Sequence, residues 1–169
     1  MNIPLVPQYS FRDVTHISPE FLKNLGVRLL LLDLDNTVAS YDEHLPSASV
    51  THWATSIKNY GIKLFIVSNS VRCGRVEAFA DALGIQFIKG ASKPSPEGVL
   101  RSIVLAGSSV VDSALVGDQV FTDTLAANRA GVISIIVRPR RFTNPFLALR
   151  YALEAPFRAM CRNRETAGG

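Results

Sequence analysis

An α/β fold built on a single doubly wound, Rossmann-like parallel sheet is what this chain of 169 residues predicts. Apolar strand-like runs alternate along it with stretches carrying helix start and stop signals, and the connections between them are short. The strongest run, Leu29-Leu30-Leu31-Leu32, is apolar at every position instead of every second one. That is the pattern of a strand covered on both faces, as in a parallel sheet flanked by helices.

The elements follow in order. Ser18-Pro19-Glu20 reads as a helix start, with an N-cap, a proline in the first turn and an acid near the positive end of the dipole, and Gly26 as its stop. Val27–Asp33 is the first strand. Ser47 or Ser49 opens a helix that Gly61 closes, and Ile62–Val67 is the second strand. A helix around Val71–Leu83 ends at Gly84, and a short strand follows at Ile85–Ile88. Pro94–Pro96 leads into a helix reaching Gly107. Ala114–Val116 is strand-like, Thr122–Ala130 helical, and Val132–Val137 the last strong strand. The expectation is a sheet of about five strands with helices on both faces. Residues 1–28 read as an extension with a short helix, 29–137 as the α/β domain and 138–169 as a basic amphipathic helical tail.

Composition narrows the class. Hydrophobic residues at 47% and charged residues at 19% suit one globular domain, not a disordered chain. Cys73 and Cys161 lie far apart without metal-ligand spacing, which points away from a zinc site or a disulfide framework. His16, His44 and His52 show no paired spacing either. No signal-peptide pattern opens the chain, and no apolar run nears the roughly 20 residues that span a bilayer, so the expected location is the cytoplasm. The net charge of +4 is unevenly placed: from 138 onward seven arginines face two glutamates, leaving −1 for residues 1–137.

In doubly wound sheets ligands bind at the carboxyl ends of the strands, and the polar residues of this chain collect there. The first strand ends in Asp33 and Asp35, which share a side while the backbone is extended. Two carboxylates on a buried strand repel and raise each other's pKa, so a compensating divalent cation is expected, and hard oxygen ligands suit Mg2+. Ser68-Asn69-Ser70 follows the second strand, Lys93 the third, and Gly117-Asp118 through Asp123 the fourth. Taken singly, Ser68 could be a helix cap, Lys93 a solvated loop residue, Asp123 a cap, and Asn36 and Thr37 turn stabilisers. Such readings would all have to coincide at one rim. The set instead supplies what phosphoryl transfer needs: a nucleophile, a metal site, phosphate donors and a cation. Arg72 and Cys73, just past this second cluster, could contact substrate or merely begin a helix.

With its four motifs in order, DLDNT at 33–37, Ser68 within IVSNS, Lys93, and GDQVFTD at 117–123, the chain resembles the haloacid dehalogenase superfamily, in the DxD form of its phosphatases. The resemblance implies roles. Asp33 would be the nucleophile and Asp35 the general acid and base. Asp33, Asp118 and the backbone carbonyl of Asp35 would hold Mg2+. Ser68 and the N–H of Asn69 would bind phosphoryl oxygens, Lys93 would neutralise charge, and Asp123 would orient Lys93 or a metal-bound water.

Only 30 residues separate Thr37 from Ser68, and 24 separate Ser68 from Lys93. One helix and one strand fill each interval, so the cap domain that many relatives insert there has no room. An open site suits a substrate whose bulk stays outside. The uncapped body, the motif variants, the SPEFLKNLGV lead-in and the basic tail resemble the subfamily IIIA branch that includes phosphatidylglycerophosphate phosphatases. That resemblance implies a lipid headgroup as substrate. The alternatives are a soluble metabolite enclosed by an oligomer partner, a nucleic-acid end as the less favoured substrate, and a non-enzymatic module, which would not need Asp35.

The tail bears on that choice. Phe146, Leu149, Leu153, Phe157 and Met160 fall at helical spacing, opposed by Arg150, Glu154, Arg158 and Arg162. Pro156 is expected to kink this helix or to begin a second one. One reading lays the helix on an anionic membrane with its arginines toward the lipid charge, a peripheral location on the inner face. The other packs it on the sheet with the polar stripe in water.

Overall fold

The computed structural model describes residues 4–71 and 74–161, with the backbone of 163 and 164. Arg72, Cys73 and Arg162 lie outside the described residues.

All strands run parallel. They are β1 (Tyr9–Ser10), β2 (Leu29–Leu32), β3 (Lys63–Val67), β4 (Gln86–Ile88), β5 (Ser113–Gly117), β6 (Ile133–Ile136) and β7 (Asn163–Arg164), in the spatial order β4-β3-β2-β5-β6-β1-β7. The five predicted strands form the continuous body of this sheet. The expectation of about five is corrected to seven, because β1 and β7 are two-residue strands at one edge, too short to carry an apolar run. Strand order reverses between β2 and β5, so the crevice beyond their carboxyl ends is the switch point at which such sheets bind ligands.

The leucines of β2 explain the two-sided core. Leu30 and Leu32 belong to one apolar layer with Leu22, Trp53, Ile57 and Phe79. Leu29 and Leu31 belong to the other, with Phe65, Val99, Ile103 and Leu115. All four leucines are fully buried. The helices are α1 (Pro19–Asn24), α2 (Ala48–Asn59), α3 (Arg75–Leu83), α4 (Glu97–Leu105), α5 (Leu125–Ala130) and α6 (Pro145–Ala159). Ser18 and Ser47 cap α1 and α2 as side-chain acceptors from Phe21 N and Val50 N, so Ser47, not Ser49, opens the second helix. The predicted helix from Thr122 instead begins as a widened π turn over Val120–Thr124 before α5 takes over.

The tail departs most from expectation. α6 runs unbroken through Pro156 as one helix. Arg158 donates to the carbonyls of Asp118 and Val137, and Glu154 accepts from Phe121 N, so the helix is tied to the residues just beyond β5 and β6. Its polar stripe faces the protein. Phe146, Leu149 and Leu153, which the sheet-covering reading would bury, are exposed.

One glycine shows how tightly the rim is built. A Cβ at Gly117, the last residue of β5, would sit 2.2 Å from the Cβ of Asp123. Nothing flexible can yield there, so Gly117→Ala is expected to cost about 1–3 kcal/mol, the range for overpacking. Urea denaturation of the variant beside the parent chain measures it.

Candidate active site

Strand register brings the first carboxylates together. Leu32 lies opposite Val116, Asp33 N donates to the Val116 carbonyl at 2.9 Å, and the chain on each side continues into an acid, Asp33 after β2 and Asp118 after β5. The π turn after β5 returns Asp123 to the same place. The carboxylates of Asp33, Asp118 and Asp123 lie within 4.8 Å of one another, all buried.

Lys93 compensates part of this charge. Its ammonium is 2.7 Å from Asp33 Oδ1 and 2.7 Å from Asp123 Oδ1, so it bridges the two. The Asn69 side chain clamps the lysine backbone, accepting from Lys93 N at 2.8 Å and donating to the Lys93 carbonyl at 2.9 Å. Gln119 N donates to the free Oδ2 of Asp123 at 3.1 Å. The Thr37 hydroxyl lies 2.9 Å from Asp33 Oδ2 and 3.3 Å from Asp118 Oδ1, spanning the pair. Ser68 is buried at the end of β3, where its Oγ accepts from Ser70 N at 3.1 Å.

The electrostatics reflect three acids against one ammonium. Burial pushes the Asp33 carboxyl from its ordinary 3.8 up to about 7, Asp123 adds to that, and Lys93 and Thr37 offset it in part. Asp118 is also held well above the usual carboxylate range, by burial first and then by Asp33 and Asp123. Burial works to lower Lys93, but the adjoining Asp123 and Asp33 outweigh it and the ammonium is held more firmly than usual. Buried oxygen donors carrying unbalanced negative charge fit a divalent metal.

Asp35 stands apart. Its carboxylate is not in the three-acid cluster but pairs with Arg75, whose guanidinium also donates to the carbonyls of Ser40, at 2.7 Å, and Glu43, at 2.8 Å. Asn36, in the left-handed region at φ 62°, donates from Nδ2 to the Arg141 carbonyl at 2.8 Å and so ties the first motif to the loop after β6. Tyr41 faces the same acids. Its phenol is pushed up to about 12, by burial first and then by Asp118, Asp35 and Asp33. A cavity beside Asp118 is lined by Asn36, Phe142, Leu147, Arg150 and Tyr151.

Of the residues predicted from sequence, Asp33, Asp118, Asp123 and Lys93 form one contacting cluster. Asn69 supports it and Ser68 lies at the same strand-end rim. The bridging hydroxyl of Thr37, the amide clamp of Asn69, and Arg75 and Tyr41 were not anticipated. Thr37 is four residues after Asp33 in the turn that follows, a signal that could have been read. Arg75 has none, since 40 residues separate it from Asp35.

These carboxyls give stability a calculable pH dependence. Between about 4 and 7 the folded chain holds a proton on Asp33 that the unfolded chain has released. Stability of metal-free protein therefore falls as pH rises through that window, with Asp118 acting in the same direction. Lys93 does not oppose this, because the stability due to its raised pKa is fully present below 10.5. Calorimetry in chelator is expected to show a lower Tm at pH 7 than at pH 5. Added divalent cation should raise Tm more at pH 7, where it no longer competes with a proton.

A family model described as mitochondrial PGP (phosphatidylglycerophosphate) phosphatase matches residues 2–140. A Bacillus subtilis (strain 168) protein named "Probable phosphatase YqeG" is 34% identical over 142 residues, 84% of this chain and 82% of the relative. The mitochondrial phosphatidylglycerophosphatase GEP4 of Saccharomyces cerevisiae is 27% identical over 125 residues, 67% of this chain and 68% of that one. The chloroplastic phosphatidylglycerophosphate phosphatase 1 of Chlamydomonas reinhardtii is 26% identical over 147 residues, 79% of this chain but 53% of the relative, so the chain spans about half its length. Among solved structures, the 3-deoxy-D-manno-octulosonate 8-phosphate phosphatase of Moraxella catarrhalis has the same fold. Its TM-score is 0.58 at 17% identity, over 90% of this chain and 80% of that one, and it was solved in complex with a magnesium ion, a phosphate ion and a KDO molecule. The chain is a phosphatase of the haloacid dehalogenase type and belongs to the PGP phosphatase family.

Proposed function

We propose that the protein hydrolyses the terminal phosphomonoester of phosphatidylglycerophosphate, giving phosphatidylglycerol, through a phosphoryl group carried on Asp33. The observation that carries this reading is the buried Asp33–Lys93–Asp123 chain with Asp118 joined to it through Thr37 at the switch point of the sheet. The names of the yeast and algal relatives support the lipid substrate.

In this reading the Asp33 carboxylate attacks phosphorus, an Asp33–phosphate bond forms, and the bond from phosphorus to the glycerol oxygen breaks. Asp35 gives its proton to that oxygen, then takes one from the water that hydrolyses the acyl phosphate and restores Asp33. Arg75, anchored on the Ser40 and Glu43 carbonyls, orients Asp35. Ser68 and the N–H of Asn69 hold phosphoryl oxygens, and Lys93 keeps its proton to balance the charge on Asp33 and the phosphate. Mg2+ held by Asp33, Asp118 and the Asp35 carbonyl would neutralise phosphate charge. A lipid substrate also implies a peripheral site of action at a membrane. No helix among the described residues is long and apolar enough to cross one.

Assay of purified protein on phosphatidylglycerophosphate, sugar phosphates, nucleotides and 3′-phosphorylated DNA tests substrate class, and preference for the lipid is expected. Asp33→Asn should abolish turnover with the fold intact. Asp35→Asn should bind phosphate but lose about 10²-fold or more in turnover. Near-normal hydrolysis of a generic phosphomonoester by either variant would exclude this mechanism.

A further inference from the structure

Soluble amphipathic helices turn charge to water and apolar residues to the core. In α6 this polarity is inverted. Its charged residues all face inward. Glu154 is 1% exposed, accepting from Phe121 N at 3.3 Å and Arg158 at 2.9 Å, Arg158 holds the Asp118 and Val137 carbonyls, and Arg150 donates to Gln119 Oε1. On the outward side Phe146, Leu149 and Leu153 are 65%, 58% and 59% exposed, the exposed positions between them are alanine, and Pro145 and Pro156 flank them. Met160 at its end extends this face at 48%. The helix cannot roll its apolar side inward without stripping Glu154 and Arg158 of these partners. A continuous apolar surface on a polar-anchored helix calls for a covering layer.

The position of the face says what covers it. On its inner side the same helix and its lead-in, through Leu147, Tyr151 and Phe142, line the cavity that also contains Asn36 and Asp118, so the helix that carries the apolar face borders the candidate active site. Leu45, 62% exposed, and Val71, 75% exposed, lie in the loops that follow Asp35 and Ser68 on the same strand-end rim. Beside the helix, Arg138 and Arg141 are exposed, the latter paired with Asp42. We infer that the outward face of α6 is the surface on which the protein lies against a phospholipid bilayer, with Phe146, Leu149 and Leu153 among the lipid chains and the active site at headgroup level. This rests on the lipid-phosphate reading above and deepens it.

It also changes the expected physics of attachment. Arg150 and Arg158 are engaged within the protein and Arg140 is paired with Asp13, so these arginines are not offered to lipid. Apolar insertion, not arginine contact with anionic headgroups, holds the protein, and attachment survives salt that screens surface charge.

Flotation of the full chain with phosphatidylcholine vesicles, with and without phosphatidylglycerol, at about 0.1 M and 1 M salt, where screening lengths are about 10 and 3 Å, tests this. Binding to both vesicle types, kept at 1 M salt, is expected. Phe146→Ser/Leu149→Ser/Leu153→Ser should lose binding about tenfold or more, while Tm and hydrolysis of a small soluble phosphomonoester stay unchanged. As a separate readout, Phe146→Trp should be quenched by brominated lipid. Three results would overturn the inference: no vesicle binding, binding only to anionic vesicles that 1 M salt abolishes, or a triple variant that binds normally but passes from dimer to monomer, which would show a second copy on the face. Asp33→Asn should bind vesicles like the parent chain, so inactivity on lipid with binding retained counts against the phosphatase reading alone.

Discussion

Lys93 placed between Asp33 and Asp123 is the interaction on which the rest of this structure turns. Three carboxylates lie within 4.8 Å in a crevice that leaves each under a tenth exposed, and desolvation alone makes such a group costly. The ammonium answers two of them at 2.7 Å each. It can do so only if the loop after β4 is held in place, which the Asn69 amide achieves by pairing with both backbone groups of Lys93. It also requires Asp123 to return beneath the end of β5, which requires a π turn and a glycine at 117. The one ammonium still leaves negative charge in the crevice, and that residue of charge fits a divalent cation and a phosphate oxygen donor set at one point.

How much of this was legible in the sequence depends on the kind of information involved. The five central strands, the two-sided burial of Leu29–Leu32 and the convergence of Asp33, Lys93, Asp118 and Asp123 followed from local patterns and from the rule that parallel strands end together. β1 and β7 were invisible because two residues cannot display a period. Arg75 was invisible because its pairing with Asp35 spans the sheet topology and leaves no spacing to read. The support given by Asn69 was half visible: its place at a strand end was clear, but whether its backbone or its amide matters depends on where the loop of Lys93 passes.

The tail is the instructive failure. Periodicity separates two stripes on a helix but does not say which faces inward; that follows only from the assumption that the apolar one does. In α6 the assumption reverses, because the helix meets strand ends instead of a sheet face. Strand ends and the turn beyond β5 present N–H groups and carbonyls outside the sheet ladder, such as those of Phe121, Asp118 and Val137, and a charged stripe satisfies them where an apolar one would leave them without partners. The rim dictates the orientation of the helix.

The same contact joins two parts of the molecule that would otherwise be independent. Arg158 ends on the carbonyl of Asp118, so the segment that presents an apolar face outward also fixes the backbone of an acid in the candidate metal cluster. With no cap domain among the described residues, the site has to be defined against something other than a lid. Here the wall beside Asp118 is built from Phe142, Leu147, Arg150 and Tyr151, all from the tail and its lead-in. The tail is therefore a wall of the site on its inner side. On its outer side it is an apolar surface that, on the reading developed above, a bilayer would complete.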